Sequence, residues 1–261
     1  MAVSKTPDNI VIQSVDTNTI RVGIRGSRPL INHRLAQKAR QELLMPQGRR
    51  TNAERASSLK HDPVAEFQAS PYTIRDENAP TFIGIPASAF KGAMMTAALR
   101  LPGAKKTEIA QLLWVEGDLV PIFGVPKLFM AVTRSSDMAR TPDVRTRALI
   151  EEWAAEIEIT YATPLLNQTS VLNLLTAAGR FCGVGDWRPE KGKGTFGQFV
   201  ITHVEEDPIW QRIAAEGGRA VQVAAMAEPV AYDEETEELL SWFDAEINAR
   251  GKVTQLRREA A

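Results

Sequence analysis

Apolar and polar positions alternate from Ala155 to Tyr161. Ala155, Ile157, Ile159 and Tyr161 fall on one side, and Glu156, Glu158 and Thr160 on the other. A period of two predicts a half-buried strand. The period then lengthens, placing Val171, Leu172, Leu174, Leu175 and Ala178 on one helical stripe. Asn167 or Ser170 is positioned to cap that helix, and Gly179 to end it. Gly183, Gly185, Gly192, Gly194 and Gly197 then crowd into fifteen residues, and GQFVITHV reads as a second strand. The unit is strand, helix, glycine loop, strand. Glycine reaches backbone angles closed to other residues and admits close approach of another backbone.

The same reading extends along the chain. Ile10 to Ile12 can open a strand. Ile20, Val22 and Ile24 face one way with Arg21 and Arg25 on the other face, and Gly26 and Pro29 end that strand. Leu35, Ala36, Ala39, Leu43 and Leu44 follow at helical spacing. From Met45 to Arg75 periodicity dissolves into a polar stretch, long for a plain connection, with a short helix expected around Pro63 to Ala69. Thr81 to Ile85 is a short strand, after which Pro86 begins a helix capped by Ser88, with Ala89, Phe90, Ala93, Met94, Ala97 and Ala98 turned inward. LVPIFGVPKLFMAV predicts a hairpin about Gly124 and Pro126, followed by a polar connection carrying Arg134, Arg140, Arg145 and Arg147. Beyond Val204, EEDPIWQRIAAEGG predicts a short helix, and VQVAAMAEPVAY reads equally as strand or loop. From Asp233 to Gln255, Leu239, Leu240, Phe243 and Ile247 mark an amphipathic helix with Trp242 off the stripe.

Charge changes this picture. The formal net charge of −1 conceals a polarity. Ile20 to Lys60 holds ten Lys or Arg against Glu42 and Glu54, whereas Glu205 to Ala261 holds thirteen acids against six Lys or Arg. A basic front suits an anionic partner, and solvated surfaces or head-to-tail pairing of copies would look the same. The 261 residues, 44% hydrophobic and 24% charged, suit a soluble domain with a sizeable core. No run of about 18 apolar residues predicts a membrane span. No secretory leader pattern opens the chain. One cysteine, Cys182, excludes an internal disulfide framework and fits a reducing compartment, so a cytoplasmic location is expected.

The glycine loop fails the phosphate-loop tests. A Walker loop lies between strand and helix, and so does the dinucleotide GxGxxG; here the order is helix, glycines, strand. Nucleotide cofactors are therefore not expected, and no other cofactor is implied. His33, His61, His203 and Cys182 show no metal-ligand spacing, so no metal site is expected. Cys182 reads as a small buried filler. Asp186, Trp187 and Arg188 sit within the loop beside Lys191 and Lys193. Backbone N–H groups, Arg188 and the lysines can hold phosphate while Trp187 stacks on a base. Equally, Trp187 can plug the core while Asp186 and Arg188 pair internally. Lys91 lies in the first turns of its helix, where the dipole disfavours a cation unless an anion is near. Arg49, Arg50, Arg55 and Lys60 can track a phosphate backbone.

Three stretches carry a resemblance: IRVGIRGSRPLINHRLAQKARQELL, IPASAFKGAMMTAALR, and the helix with its GDWRPEKGKGTFGQF loop and strand. In that order they resemble the RAMP superfamily, the RNA-binding subunits of CRISPR effector complexes. The first is similar to that superfamily's first strand and helix, the second to its Lys-Gly helix start, the third to its carboxy-terminal half. The arrangement is also similar to phage proteins sharing the GDWRPEKGxGxFGxF segment. The resemblance, from about Ile10 to Val204, implies an α+β fold with a ferredoxin-like or RRM-like core. It would occupy residues 1–204, with insertions near 46–80 and 119–148 and an acidic helical extension over 205–261. It also implies copies stacked along a strand as a homo-oligomer, helical in the CRISPR case, and, if phage-encoded, a host cytoplasm. Some members cut RNA with a histidine near the first helix, which singles out His33; others use a loop aspartate, for which Asp62, Asp137 and Asp143 stand open.

The expected function is non-catalytic binding of single-stranded RNA or DNA. Arg21, Arg25, Arg49, Arg50, Lys91, Arg145, Arg188, Lys191 and Lys193 would hold phosphates and Trp187 would stack. The rivals are an RNA-processing endonuclease using His33 and a self-assembling structural protein without nucleic acid.

Overall fold

The computed structural model describes residues 14–34, 61–134 and 142–259. The expected strand near Ile10 and helix from Leu35 to Leu44 lie outside them, as do Arg49, Arg50, Arg55, Lys60, Asp137 and Arg140. The first described strand is β1 (Asp16–Gly26), followed by β2 (Leu30–Asn32). Next come α1 (Pro63–Ala69), β3 (Tyr72–Thr73), β4 (Ile83–Pro86), α2 (Ala87–Ala97), α3 (Lys106–Leu112), β5 (Leu113–Val115) and β6 (Leu119–Pro121). The hairpin expected about Gly124 does not form, since β6 pairs with β4. The hairpin is instead β7 (Pro126–Arg134) with β8 (Pro142–Ile150), which makes the segment with Arg145 and Arg147 a strand. It leads to β9 (Ala154–Thr163) and α4 (Gln168–Ala177). Strand β10 (Phe199–Thr202) precedes α5 (Pro208–Glu216), α6 (Arg219–Ala227) and α7 (Glu234–Glu259).

Four strands form the main sheet in the order β10-β1-β9-β5, every neighbouring pair antiparallel. Counted along the chain these are the fourth, first, third and second strands of the sheet. Helix α2 lies between the first and second, and α4 between the third and fourth. That is the βαββαβ arrangement of a ferredoxin-like fold, here an α+β protein. Among the described residues the helix of the first crossover is α2.

Strand alternation sets the core. Val22, Ile24, Ile157, Ile159, Tyr161 and Phe199 form one buried cluster with Phe90 and Met94 of α2 and Val171, Leu174 and Leu175 of α4. Phe90 meets Phe199 edge to face, ring centroids 6.0 Å apart. Asn167 caps α4 by accepting from Ser170 N at 2.8 Å. Two expected caps differ. Helix α2 has no side-chain cap, so Ser88 does not serve; Ala87 N instead donates to Asp118 O at 3.0 Å. Gly179 does not end α4 either. The chain continues through a wide turn over Ala178–Cys182 and stops at Gly183, φ 66°. Gly179 is needed elsewhere, because a Cβ there would strike the Phe199 carbonyl.

Two insertions carry smaller sheets. Between β1 and α2 the chain places β2, α1, β3 and β4; between β5 and β9 it places β6, β7 and β8. They pair as β2-β8-β7 and β3-β4-β6, all antiparallel. The carboxy-terminal helices pack onto them. Gln222 of α6 is fully buried, accepts from Phe82 N and Ile83 N, and donates to the carbonyls of Ile122 and Gly124. That bonding explains why Val221 to Ala227, open between strand and loop by pattern, is helix: Gln222 needs α6 to aim it inward. In α7, Leu239 and Leu240 pack on the core while Trp242 stays 63% exposed.

Gly197 shows how tightly the glycine loop is closed. It holds φ 70°, its N–H donates to Pro29 O at 2.8 Å, and a Cβ would overlap the Val184 carbonyl. Gly197→Ala is expected to cost at least about 2 kcal/mol, from backbone strain plus overpacking. An unchanged urea midpoint would show that the loop relaxes freely.

Candidate nucleic-acid interface

The uncovered face of the main sheet was expected to be basic. Arg21 and Arg25 do share it, but each is answered by an acid. Arg21 Nε lies 3.0 Å from Glu158 Oε2, and Arg25 Nε 2.9 Å from Asp207 Oδ2. Hydrogen bonding from Thr202, then from Arg25 and the Trp210 and Ile209 N–H groups, outweighs burial and holds the Asp207 carboxyl well below the usual carboxylate range. A depression of about 200 Å³ on this face is lined by Arg21, Glu156, Glu158, Pro80, Pro121, Phe123 and Trp210. Its two glutamates disfavour a polyanion. Lys91 also departs from expectation: its ammonium sits 5.8 Å from the centre of the Trp114 ring, so an aromatic face stands where an anion was sought.

The glycine loop lies against the second sheet. Asp186 N donates to Ile31 O at 3.0 Å, and Gly185, φ 80°, lets the two backbones meet. Trp187 packs with Phe129, Phe196 and Tyr232, its ring 6.2 Å from Phe129. Its backbone sits at φ 51°, uncommon for a residue with a Cβ. Asp186 Oδ2 accepts from Nη1 of Arg147 at 2.6 Å. The Arg147 guanidinium lies 4.5 Å over the Trp187 ring. Arg188 donates to Glu190 at 2.8 Å and to Gly185 O at 2.8 Å, while Thr96 of α2 donates to the other Glu190 oxygen at 3.0 Å. The loop's trio is therefore internally engaged. Trp187 is half-buried against the small aromatic cluster, and each charged member has its own partner: Arg147 for Asp186 and Glu190 for Arg188.

What remains open is the loop's tip. Lys191 and Lys193 are exposed and form no ion pair among the described residues. Arg100 and Lys106, both exposed, lie near enough to influence Cys182 within the turn, whose thiol is pushed up chiefly by burial and then by Glu190. On β8, Arg145 is exposed, and Arg147, 1% exposed, is the interior cation. Spacing alone did not single out Arg100 and Lys106, which come to the loop through the end of α2 and the start of α3. Arg147 stood among four arginines of a polar connection; it shares one side of β8 with Arg145, so alternation does not separate the two, and only the cover given to Arg147 by the loop does.

His33 follows β2 and is half-buried. Burial pushes its pKa below the ordinary 6.5, Asp186 opposes, and Arg147 and Arg145 reinforce the lowering. His61 bridges two carboxylates, Glu66 at 2.8 Å and Asp143 at 3.1 Å. Asp62 caps α1 through Ala65 N at 3.0 Å, which accounts for it structurally. Among the described residues no cluster of three or more His, Cys, Asp or Glu is placed to hold a metal. No described helix is long and apolar enough to cross a membrane.

No protein-family model matches the sequence, and neither does any curated protein. Among matching solved structures is Cmr6 from Pyrococcus furiosus, at 11% identity and a TM-score of 0.37, over 72% of this chain and 98% of that one. At that level the likeness carries no argument about function. The ferredoxin-like assignment stands on strand order.

Burial raises the Asp186 pKa, but the Arg147 charge and hydrogen bonds from Trp187 N and Arg147 outweigh it, so the carboxyl lies below its ordinary 3.8. A carboxylate depressed on folding adds stability above its unfolded value, and that stability is lost as pH falls through the folded value. Asp186→Asn leaves a buried guanidinium unpaired and should cost about 2 kcal/mol at pH 7, discounted because Asp186 is 37% exposed. Denaturant titrations at pH 7 and pH 3 should show this difference shrinking with acid; a difference independent of pH would remove the ion pair from the account.

Proposed function

We propose that the chain binds single-stranded nucleic acid, RNA or DNA, without cleaving it, along the tip of the glycine loop and the adjoining edge of β8. The observation that supports this most is the division of labour among the loop's cations. Arg188 is satisfied internally and stiffens the loop, whereas Lys191 and Lys193 project with no ion-pair partner among the described residues. Arg100, Lys106 and Arg145 extend the positive surface. Rigid presentation of unpaired cations suits phosphate contacts, which position a strand without reading sequence. The chain would act as a homo-oligomer along the strand, a reading supported only by opposite charge on the acidic first turn of α7, with Glu234, Glu235 and Glu237, and the basic loop tip.

Within this reading Trp187 supports the loop from beneath, and Arg21 and Arg25 stabilise the fold rather than hold phosphate. A second reading keeps His33 as a general base for RNA cleavage, favoured by its half-buried place beside Arg145 and Arg147, which lower its pKa. His33→Ala that leaves the products of an RNA incubation unchanged would remove it.

Binding of a labelled single strand at two salt concentrations tests the main reading. Affinity should fall steeply with salt. In Lys191→Ala/Lys193→Ala the slope of log K against log salt should become shallower by about 1.4, for two lost single-strand phosphate contacts. Equal slopes for parent and variant would exclude the loop tip from the interface.

A further inference from the structure

Arg147 is oriented by contacts that leave most of its hydrogen-bonding capacity idle. Nη1 is taken by Asp186, and the plane rests on Trp187. Nε and Nη2 are buried and meet no acceptor among the described residues. Those two nitrogens form the lateral edge of the guanidinium, whose parallel N–H bonds match two oxygens of a phosphate. A buried cation with both edge donors empty is costly unless something else fills them. Strand β2 pairs with β8 in the register Asn32↔Ala148, which brings the next residue, His33, across from Arg147. Its Nδ1 is also buried without a partner among the described residues. Arg145, two residues before Arg147 on the same side of β8, is exposed at the rim. Thr146 Oγ1 lacks a partner too, but alternation turns it to the opposite side of the strand.

We propose that the lateral edge of Arg147, flanked by His33 and Arg145, seats one phosphate oxyanion of the bound strand. This rests on the nucleic-acid reading and gives it one defined phosphate position. Charge favours phosphate as the occupant. Arg145 and Arg147 against Asp186 leave one positive charge uncompensated, and a phosphodiester carries one negative charge. Glu66, the other acid within electrostatic reach of His33, is bound to His61. The rim is accessible, since Asp186 is 37% exposed and His33 half-buried. The edge itself is covered, so seating the anion requires a small outward shift of His33 or of Trp187, whose φ of 51° already marks a strained position.

The test uses the full chain with two probes, inorganic phosphate and a short labelled oligouridylate. The variants are Arg147→Lys, which keeps a cation for Asp186 but loses the two-pronged edge, Arg145→Gln and His33→Ala. Phosphate should raise the melting temperature of the parent saturably. Apparent phosphate affinity should fall roughly 10- to 100-fold in Arg147→Lys and less in the other two. A rise shared equally by parent and Arg147→Lys, and reproduced by chloride at matched ionic strength, is a general salt effect and overturns the seat. Should Arg147→Lys fail to fold by circular dichroism, His33→Ala and Arg145→Gln decide: parent-like phosphate affinity in both overturns the proposal. Oligouridylate binding that depends on Lys191 and Lys193 but not on Arg147 refutes the seat and leaves the strand reading standing. Specific phosphate binding without strand binding supports the seat and overturns the strand reading.

Discussion

The guanidinium of Arg147 reaches from β8 to the carboxylate of Asp186 at 2.6 Å while its plane lies 4.5 Å over the ring of Trp187. Through that contact the glycine loop, which belongs to the main sheet by chain order, is tied to the second sheet, which belongs to the insertions. Backbone bonds run beside it, from Asp186 N to Ile31 O and from Gly197 N to Pro29 O. A buried ion pair adds little net stability, because desolvation consumes most of the attraction. Its effect here is geometric: a loop rich in glycine, costly to order, is held in one shape.

Electrostatics then separates the two faces. On the main sheet every cation named from strand alternation meets an acid within hydrogen-bond distance, and Glu156 and Glu158 line a depression there. Those pairs hold strands and helix α5 in place, since Asp207 caps α5 through Ile209 N and Trp210 N as well as binding Arg25. At the loop the order is reversed. Acids are consumed beneath it, by Arg147 and Arg188, and lysines remain at the tip. A net charge of −1 gives no hint of this, because it sums over faces that a ligand meets separately.

Much of the fold was legible along the chain. The period of two over Ala155 to Tyr161, the stripe from Val171 to Leu175 and the small-residue helix after Pro86 each form the expected element. Core positions such as Ile24, Phe90 and Leu175 are buried as the pattern requires. The misses have local causes. Ser88 was a sound cap by composition, but the Asp118 carbonyl takes the Ala87 N–H instead. Gly179 looked like a terminator, whereas its missing Cβ makes room for the Phe199 backbone. Helix α6 was ambiguous because Val221 and Val223 mimic strand alternation, and both are exposed; burial of Gln222 between them decides the matter.

The candidate site was legible only in part. A crowding of glycine, aromatic and basic residues between Cys182 and Gly197 is a property of the sequence, and it located the loop correctly. Which charges face a ligand was not, because pairing depends on partners far away in the chain. Arg147 and Asp186 are 39 residues apart, and Arg25 and Asp207 are 182. Periodicity records which side of an element is apolar, so the sequence by itself determined the central strands, the two helices packed on them and their buried faces, but not β8 or α6. It carries no record of which element stands opposite, so only the tertiary structure decided that Arg21, Arg25 and Arg188 meet carboxylates and Trp187 meets Arg147, while Lys191 and Lys193 stay open to solvent.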